Sequence, residues 1–178
     1  AGVMGPSQYL DLLLYLAEKM QDVKELLFLF VGDGKENVNL QNIAHEKSLS
    51  NVRFEGFVSH ELYPELLRIC SIGLVCLSPL NKTPVVPGKI LGYMAAGLPI
   101  AAFLQNSSDG HRIIKSAQCG ISNDSADKDA CVKSMKNLLS QKNSFSKLGK
   151  NGKRYASKHF SKGICVEKLE SILEKSVQ

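Results

Sequence analysis

Three short apolar runs, Glu25-Leu-Leu-Phe-Leu-Phe-Val31, Ser71-Ile-Gly-Leu-Val-Cys-Leu77 and Pro99-Ile-Ala-Ala-Phe-Leu104, most constrain the fold of this chain. Runs this brief and this uniformly apolar are what strands look like when both faces of their sheet are covered. Between them lie segments with helical spacing of apolar residues. Strand and helix therefore alternate, which predicts an α/β fold: a parallel sheet, doubly wound through right-handed crossovers. Shorter strands are expected over 51–55 and 119–121, and residues 1–4 read as the tail of a strand cut short by the start of the chain. Helices are expected over 8–20, with Leu10, Leu13, Leu14 and Leu16 inward, over 36–47, over 60–70 with Ser59 as N-cap, and over 111–118. From Ala126 onward the pattern is helical, in three pieces broken near Asn143 and Ser161. At 178 residues, with no linker, repeat or low-complexity stretch, the chain reads as one domain.

The sharpest local signal is Val85-Val-Pro-Gly-Lys-Ile-Leu-Gly-Tyr-Met-Ala-Ala-Gly-Leu-Pro99. Pro87 suits the first helical position, where a missing N–H costs nothing. Gly97 suits a left-handed helix stop, and Pro99 forbids a return to helix. A polar loop thus feeds a short helix and then a buried strand. A helix N-terminus that follows a loop bearing Gly88 and Lys89 is a ready anion site. Lys89 is the best single functional candidate, because a cation in a first turn opposes the helix dipole unless an anion shares the site. The competing reading is a solvated surface lysine. In doubly wound sheets ligands bind at the carboxyl ends of the strands. Four loops leave those ends here, 32–34, 56–59, 78–86 and 105–110. Gly32-Asp-Gly34 by itself is only a tight turn.

Several chemistries lose support. There is no Walker loop, no full dinucleotide fingerprint and no G-x-S-x-G elbow. The four histidines lack ligand spacing, so no metal site is expected. Five cysteines without C-x-x-C spacing argue against a disulfide framework and point to reduced, buried thiols. No apolar run has the length of a membrane span, and no secretory signal is read. Charge is uneven. Residues 128–178 carry 12 Lys and Arg against 4 Asp and Glu, whereas 1–127 carry 10 against 13. The basic part suits an anionic membrane surface or polyphosphate, or is a solvated lysine-rich helical face.

Segment 87–97 is supported by Ala1-Gly-Val-Met-Gly5 with Asp11-Leu-Leu, Phe30-Val-Gly-Asp-Gly34, Asn51-Val-Arg-Phe, Gly56-Phe-Val, Ala117-Gln-Cys-Gly, and Gly149-Lys-Asn-Gly-Lys-Arg-Tyr155 with His159-Phe-Ser161. In that order and spacing they resemble the C-terminal, donor-binding domain of retaining, family-four-type glycosyltransferases of the GT-B fold. The likeness is greatest to bacterial transferases that build O-antigen and capsule-type polysaccharides. The resemblance implies a Rossmann-like domain and metal-independent, cofactor-free transfer of sugar from a nucleotide-diphosphate sugar to a glycan or lipid-linked acceptor. It implies a cytoplasmic protein, peripheral at the inner face of the membrane, with no nucleic-acid partner. It places Phe57 and Val58 beside the nucleobase, and Gly2, Gly5, Pro87, Gly88 and Lys89 beside the diphosphate. It assigns no catalytic side chain.

Five positions depart from the family pattern. A spaced glutamate pair falls at Pro84 and at Gly92, the latter where a carboxylate would hold the ribose. The cations that neutralise the diphosphate fall at Val3 and Gln8, and a further glutamate falls at Arg112. Lys89, Lys82, Arg112 and helix N-termini are left to stabilise a leaving diphosphate. The resemblance covers only the second of two domains, so the chain reads as an excised half that would not turn over alone. The alternative is a non-catalytic, degenerate binding or scaffolding module. An epimerase-like enzyme would need acids in the cleft, and Asp33, Glu55 and Asp109 are the strand-end candidates.

Overall fold

The computed structural model describes residues 1–176. Strands and helices alternate as α1 (Leu10–Glu18), β1 (Phe28–Val31), α2 (Asn37–Glu46), β2 (Val52–Glu55), α3 (Tyr63–Ile69), β3 (Gly73–Cys76), α4 (Gly88–Ala96), β4 (Ile100–Leu104), α5 (Gly110–Ala117) and β5 (Gly120–Asp124). Three helices close the described chain, α6 (Lys128–Ser140), α7 (Phe145–Phe160) and α8 (Lys162–Ser176), with their breaks where Asn143 and Ser161 predict them.

All strand pairing is parallel, but it falls into two ladders, β1–β2 and β3–β4–β5. The amino-terminal segment runs between them. Gly2 N–H donates to Val31 O and Met4 N–H to Asp33 O, both at 2.8 Å, rising in step as a parallel partner does. This pairing meets only the end of β1, so residues 1–4 form no regular strand, contrary to expectation. Alongside, a groove of about 560 Å³ separates β1 from β3, walled by Leu13, Phe28, Phe30, Leu74 and Cys76 among others.

Successive side chains of β4 enter opposite cores, as the period of a strand requires. Ala101 and Phe103 pack with Leu12, Leu16, Phe28 and Met135, whereas Ile100, Ala102 and Leu104 pack with Ile90, Met94 and Ile114. Helices therefore cover both faces of the sheet.

The boundaries differ from expectation for local reasons. The first helix is preceded by a 3-10 turn, Pro6–Gln8, and Tyr9 with φ 47° breaks the two apart. Leu12 takes the fully buried place expected for Leu10, which is half-buried. β1 begins three residues late because Glu25 adopts φ 66° and Leu27 stays exposed. α3 begins at Tyr63, with Pro64 in its first turn. Ser59 does not cap it; its hydroxyl bonds the Glu61 carboxyl, which lies below its ordinary pKa mainly for that reason. β5 runs on to Asp124. Of the cysteines, Cys76, Cys119 and Cys131 are buried and Cys70 half-buried, but Cys165 is exposed on α8, so the expectation of uniformly buried thiols fails there. Burial pushes the Cys119 thiol up to about 11 and that of Cys131 to about 12.

One cap is testable. Asp127 accepts a hydrogen bond from Ala130 N–H at 2.9 Å and so satisfies a free donor at the start of α6. Asp127→Ala should lower stability by about 1 kcal/mol, a fall of about 2–4 °C in Tm for a domain of this size. Asp127→Asn should retain most of it. Thermal denaturation followed by circular dichroism measures both.

Candidate functional site

The site is assembled from the loops at the carboxyl ends of the strands. After β1, Gly32 has φ 127°, and a Cβ there would lie 2.1 Å from Gly2 O. A Cβ at Gly34, φ 155°, would lie 2.3 Å from Met4 O. Only glycine permits the amino-terminal segment to cross β1 this closely. Gly32-Asp-Gly34 is thus a crossing point for the main chain.

Crossing there brings Gly2 and Gln8 to α4. The Lys89 ammonium donates to Gln8 Oε1 at 2.7 Å, and no carboxylate pairs with it among the described residues. Lys89 is half-buried, and burial holds its pKa below the ordinary lysine value. Gly2 lies beside the lysine tip: a Cβ there would stand in ordinary contact, 3.6 Å from Lys89 Cε, so it is φ 110° that favours glycine at this place. α4 itself starts at Gly88; Pro87, φ −61° and ψ 126°, is its extended N-cap rather than its first helical residue as expected, and no side chain caps the helix. Its first N–H groups are among those that a helix leaves without an i−4 acceptor.

Gly88 and Gly92 lie four residues apart, hence on one face of α4. A Cβ at either would meet nothing within 4 Å. The helix therefore shows a bare strip of backbone beside Lys89. Of the amino-terminal amides, those of Gly2 and Met4 are committed to β1, whereas those of Val3 and Gly5 have no hydrogen-bond acceptor among the described residues.

The loop before α4 is fastened from beneath. Gln105 Nε2 donates to Thr83 O at 2.9 Å, and Ser108 Oγ donates to Val85 O at 2.6 Å. Both side chains are buried, so these bonds are made away from water. Gln105 Oε1 also accepts from Ser107 N–H and Oγ–H, and His111 bridges Ser122 Oγ and Gln105 O. On the other side Ser78 N–H and Asn81 Nδ2 donate to Ser7 O. Three loops are thereby tied into one rim. Sequence reasoning missed Gln105 and Ser108; a polar tract straight after a fully buried strand was the available signal.

The remaining candidates divide. Phe57 is 81% exposed beyond β2 and Val58 is half-buried; neither joins the Gly2–Gln8–Lys89 cluster by a hydrogen bond. Val3 is 73% exposed, and Pro84 and Lys82 are exposed in the loop. The three strand-end acids are engaged locally. Asp33 accepts from Gly34 N–H and Asn37 Nδ2, which holds its pKa below the ordinary range. Glu55 pairs with Arg53, and Asp109 with Arg112. None is an unengaged base facing Lys89. No group of three or more His, Cys, Asp or Glu comes together among the described residues.

This arrangement, a tethered cation at an uncapped helix with bare backbone beside it, belongs to a sequence of recognisable lineage. Residues 1–155 match the family model for glycosyl transferases group 1. The chain belongs to that family. Its sequence is 28% identical over 97 residues to WcaI of Escherichia coli (strain K12), named as a colanic acid biosynthesis glycosyl transferase. That match takes in 54% of this chain and 24% of the relative, so the matched stretch spans about a quarter of that protein. Sucrose-phosphate synthase from Thermosynechococcus elongatus superposes with a TM-score of 0.79 at 18% identity, covering 99% of this chain and 45% of that one. Anabaena Alr3699/HepE, solved with UDP-glucose, gives 0.79 at 16% identity, covering 98% and 48%. The group 1 domain thus has the Rossmann-like fold of GT-B glycosyltransferases.

Proposed function

We propose that this chain is the donor-binding domain of a group 1 glycosyltransferase. It would take a nucleotide-diphosphate sugar, used by the whole protein to glycosylate a glycan or lipid-linked acceptor in polysaccharide assembly. The observation that carries the reading is Lys89. A half-buried ammonium in the first turn of an uncapped helix, hydrogen-bonded among the described residues only to a neutral amide, is an anion site awaiting its anion. A diphosphate would bridge Lys89, the first N–H groups of α4 and the amides of Val3 and Gly5. Fixed donors and a cation of this kind supply the charge stabilisation that a metal supplies elsewhere. The bare strip at Gly88 and Gly92 lets the ribose or sugar lie against α4, and Phe57 with Val58 would flank the base. The acceptor and the catalytic step belong to the whole protein, which we place in the cytoplasm, peripheral at the inner face of the membrane.

Calorimetric titration with UDP, GDP and ADP and their sugars tests this directly. Saturable binding of one nucleotide supports a donor domain and names its base; no binding up to millimolar ligand overturns it for this chain. A non-catalytic module is the second reading, favoured by the missing carboxylate at Gly92. Its own prediction is distinct. Nothing obstructs a side chain there, so Gly92→Glu should add a hydrogen bond to the ribose and raise nucleotide affinity by about 1 kcal/mol. Unchanged affinity in the same titration counts against a module that merely lost this contact.

A further inference from the structure

The carboxyl-terminal helices carry a surface that donor binding does not use. Residues 143–166 include Lys147, Lys150, Lys153, Arg154, Lys158 and Lys162 and no Asp or Glu. At 3.6 residues per turn the five cations of α7 fall within one arc of less than half the helix. The opposite side carries Gly149 and Gly152, which are buried against α4 and Cys119. All five cations are exposed, and none has an ion pair among the described residues. Elsewhere on the chain Lys47, Arg53, Arg68, Arg112 and Lys142 each face a carboxylate. A helix face on which five cations stand together with no carboxylate between them is complementary to an extended anionic surface.

We propose that the outer face of α7 docks on an anionic lipid surface. Two observations favour lipid over nucleic acid. The face is rich in lysine and offers no free ring for a base to stack on; its one exposed aromatic, Phe160, already packs near Tyr155 and His159. The next helix leaves Val166, Leu169 and Leu173 exposed at i, i+3 and i+7, an apolar stripe of the kind that enters a membrane interface beside basic residues. Because α7 meets α4 through its glycine side, its basic face points away from α4, and docking would leave the candidate donor site open. The proposal stands on charge placement and does not require that a nucleotide bind.

Vesicle flotation at physiological salt tests it, with phosphatidylcholine alone or mixed about two to one with phosphatidylglycerol. Each juxtamembrane cation contributes substantially to attraction by anionic lipid. The triple variant Lys150→Glu, Arg154→Glu, Lys158→Glu should therefore lose at least about tenfold in partitioning to the mixed vesicles. The triple variant Lys24→Glu, Lys35→Glu, Lys136→Glu changes net charge equally on other surfaces and should lose less than about threefold. Equal losses in the two variants would overturn the proposal, since net charge alone would then explain binding. So would equal partitioning to neutral and mixed vesicles, or a single-stranded oligonucleotide that displaces the protein from the mixed vesicles at matched charge concentration.

Discussion

Gly149→Ala should destabilise the protein by about 2–3 kcal/mol, even though it improves the helix that carries it. In a helix interior alanine is better than glycine by about 1 kcal/mol, and nothing in the backbone of α7 forbids it. Packing decides the sign. A Cβ at Gly149 would lie 1.9 Å from Gly97 O and 2.8 Å from Gly97 C. These are main-chain atoms at the stop of α4, where Gly97 has φ 74° and its N–H closes the last turn onto Met94 O. No rotamer change relieves the overlap; α4 and α7 must separate. Overpacking of this kind costs at the upper end of the usual range or beyond it, and exceeds the propensity gain. Tm should fall by roughly 5–10 °C for a domain of this size. Gly163→Ala provides the comparison, because a Cβ there meets nothing within 4 Å. A Gly149→Ala protein that melts with the wild type would show that the two helices are not held this tightly in solution.

Lys89→Ala should weaken nucleotide-diphosphate binding by about 1–3 kcal/mol, as expected for loss of a charge-assisted contact. Stability should change little, since among the described residues the ammonium hydrogen-bonds only the Gln8 amide. The pH dependence carries the sharper signature. Burial favours the neutral amine and lowers the Lys89 pKa. A bound polyanion needs the ammonium, so affinity is full below that pKa and falls as pH rises through it. The fall should therefore begin at a lower pH than an ordinary lysine would give. Lys89→Arg should retain binding and move the fall beyond the accessible range, because guanidinium does not deprotonate there. Unchanged affinity of Lys89→Ala in calorimetry would remove this residue from the site.

What the sequence disclosed depends on whether the determinant is local. α4 was legible because Gly97 and Pro99 each act on their own backbone, and Pro87 marks its start to within one residue, as the N-cap instead of the first helical position. β4 was legible because an unbroken apolar run admits few other fates, and every one of its five residues is buried. The start of α3 was misplaced because Ser59 looks like a cap but spends its hydroxyl on Glu61. The gap between β1 and β3 has no sequence signature at all, since periodicity reports faces and not neighbours. The same holds within the site. Lys89 was read from its helix position alone, whereas Gln8, 81 residues away, becomes its partner only through the crossing at Gly32 and Gly34. Gln105 and Ser108 were missed because their partners are main-chain carbonyls of another loop, which no side-chain pattern reveals. The resemblance to GT-B transferases placed the domain in its family, as the match over residues 1–155 shows. It also supplied the roles offered for Phe57 and Val58, which the geometry does not join to Lys89.

The two sides of α4 set different terms for change. Tyr93 and Met94 are buried on one side, with the Gly97–Gly149 contact closing its end, and any added atom there must be absorbed by the core. At Gly88 and Gly92 on the other side an added Cβ would meet nothing within 4 Å. A new ligand preference can therefore be written onto this helix one substitution at a time, with no compensating mutation in the interior. Evolvability and rigidity are divided across the width of a single helix.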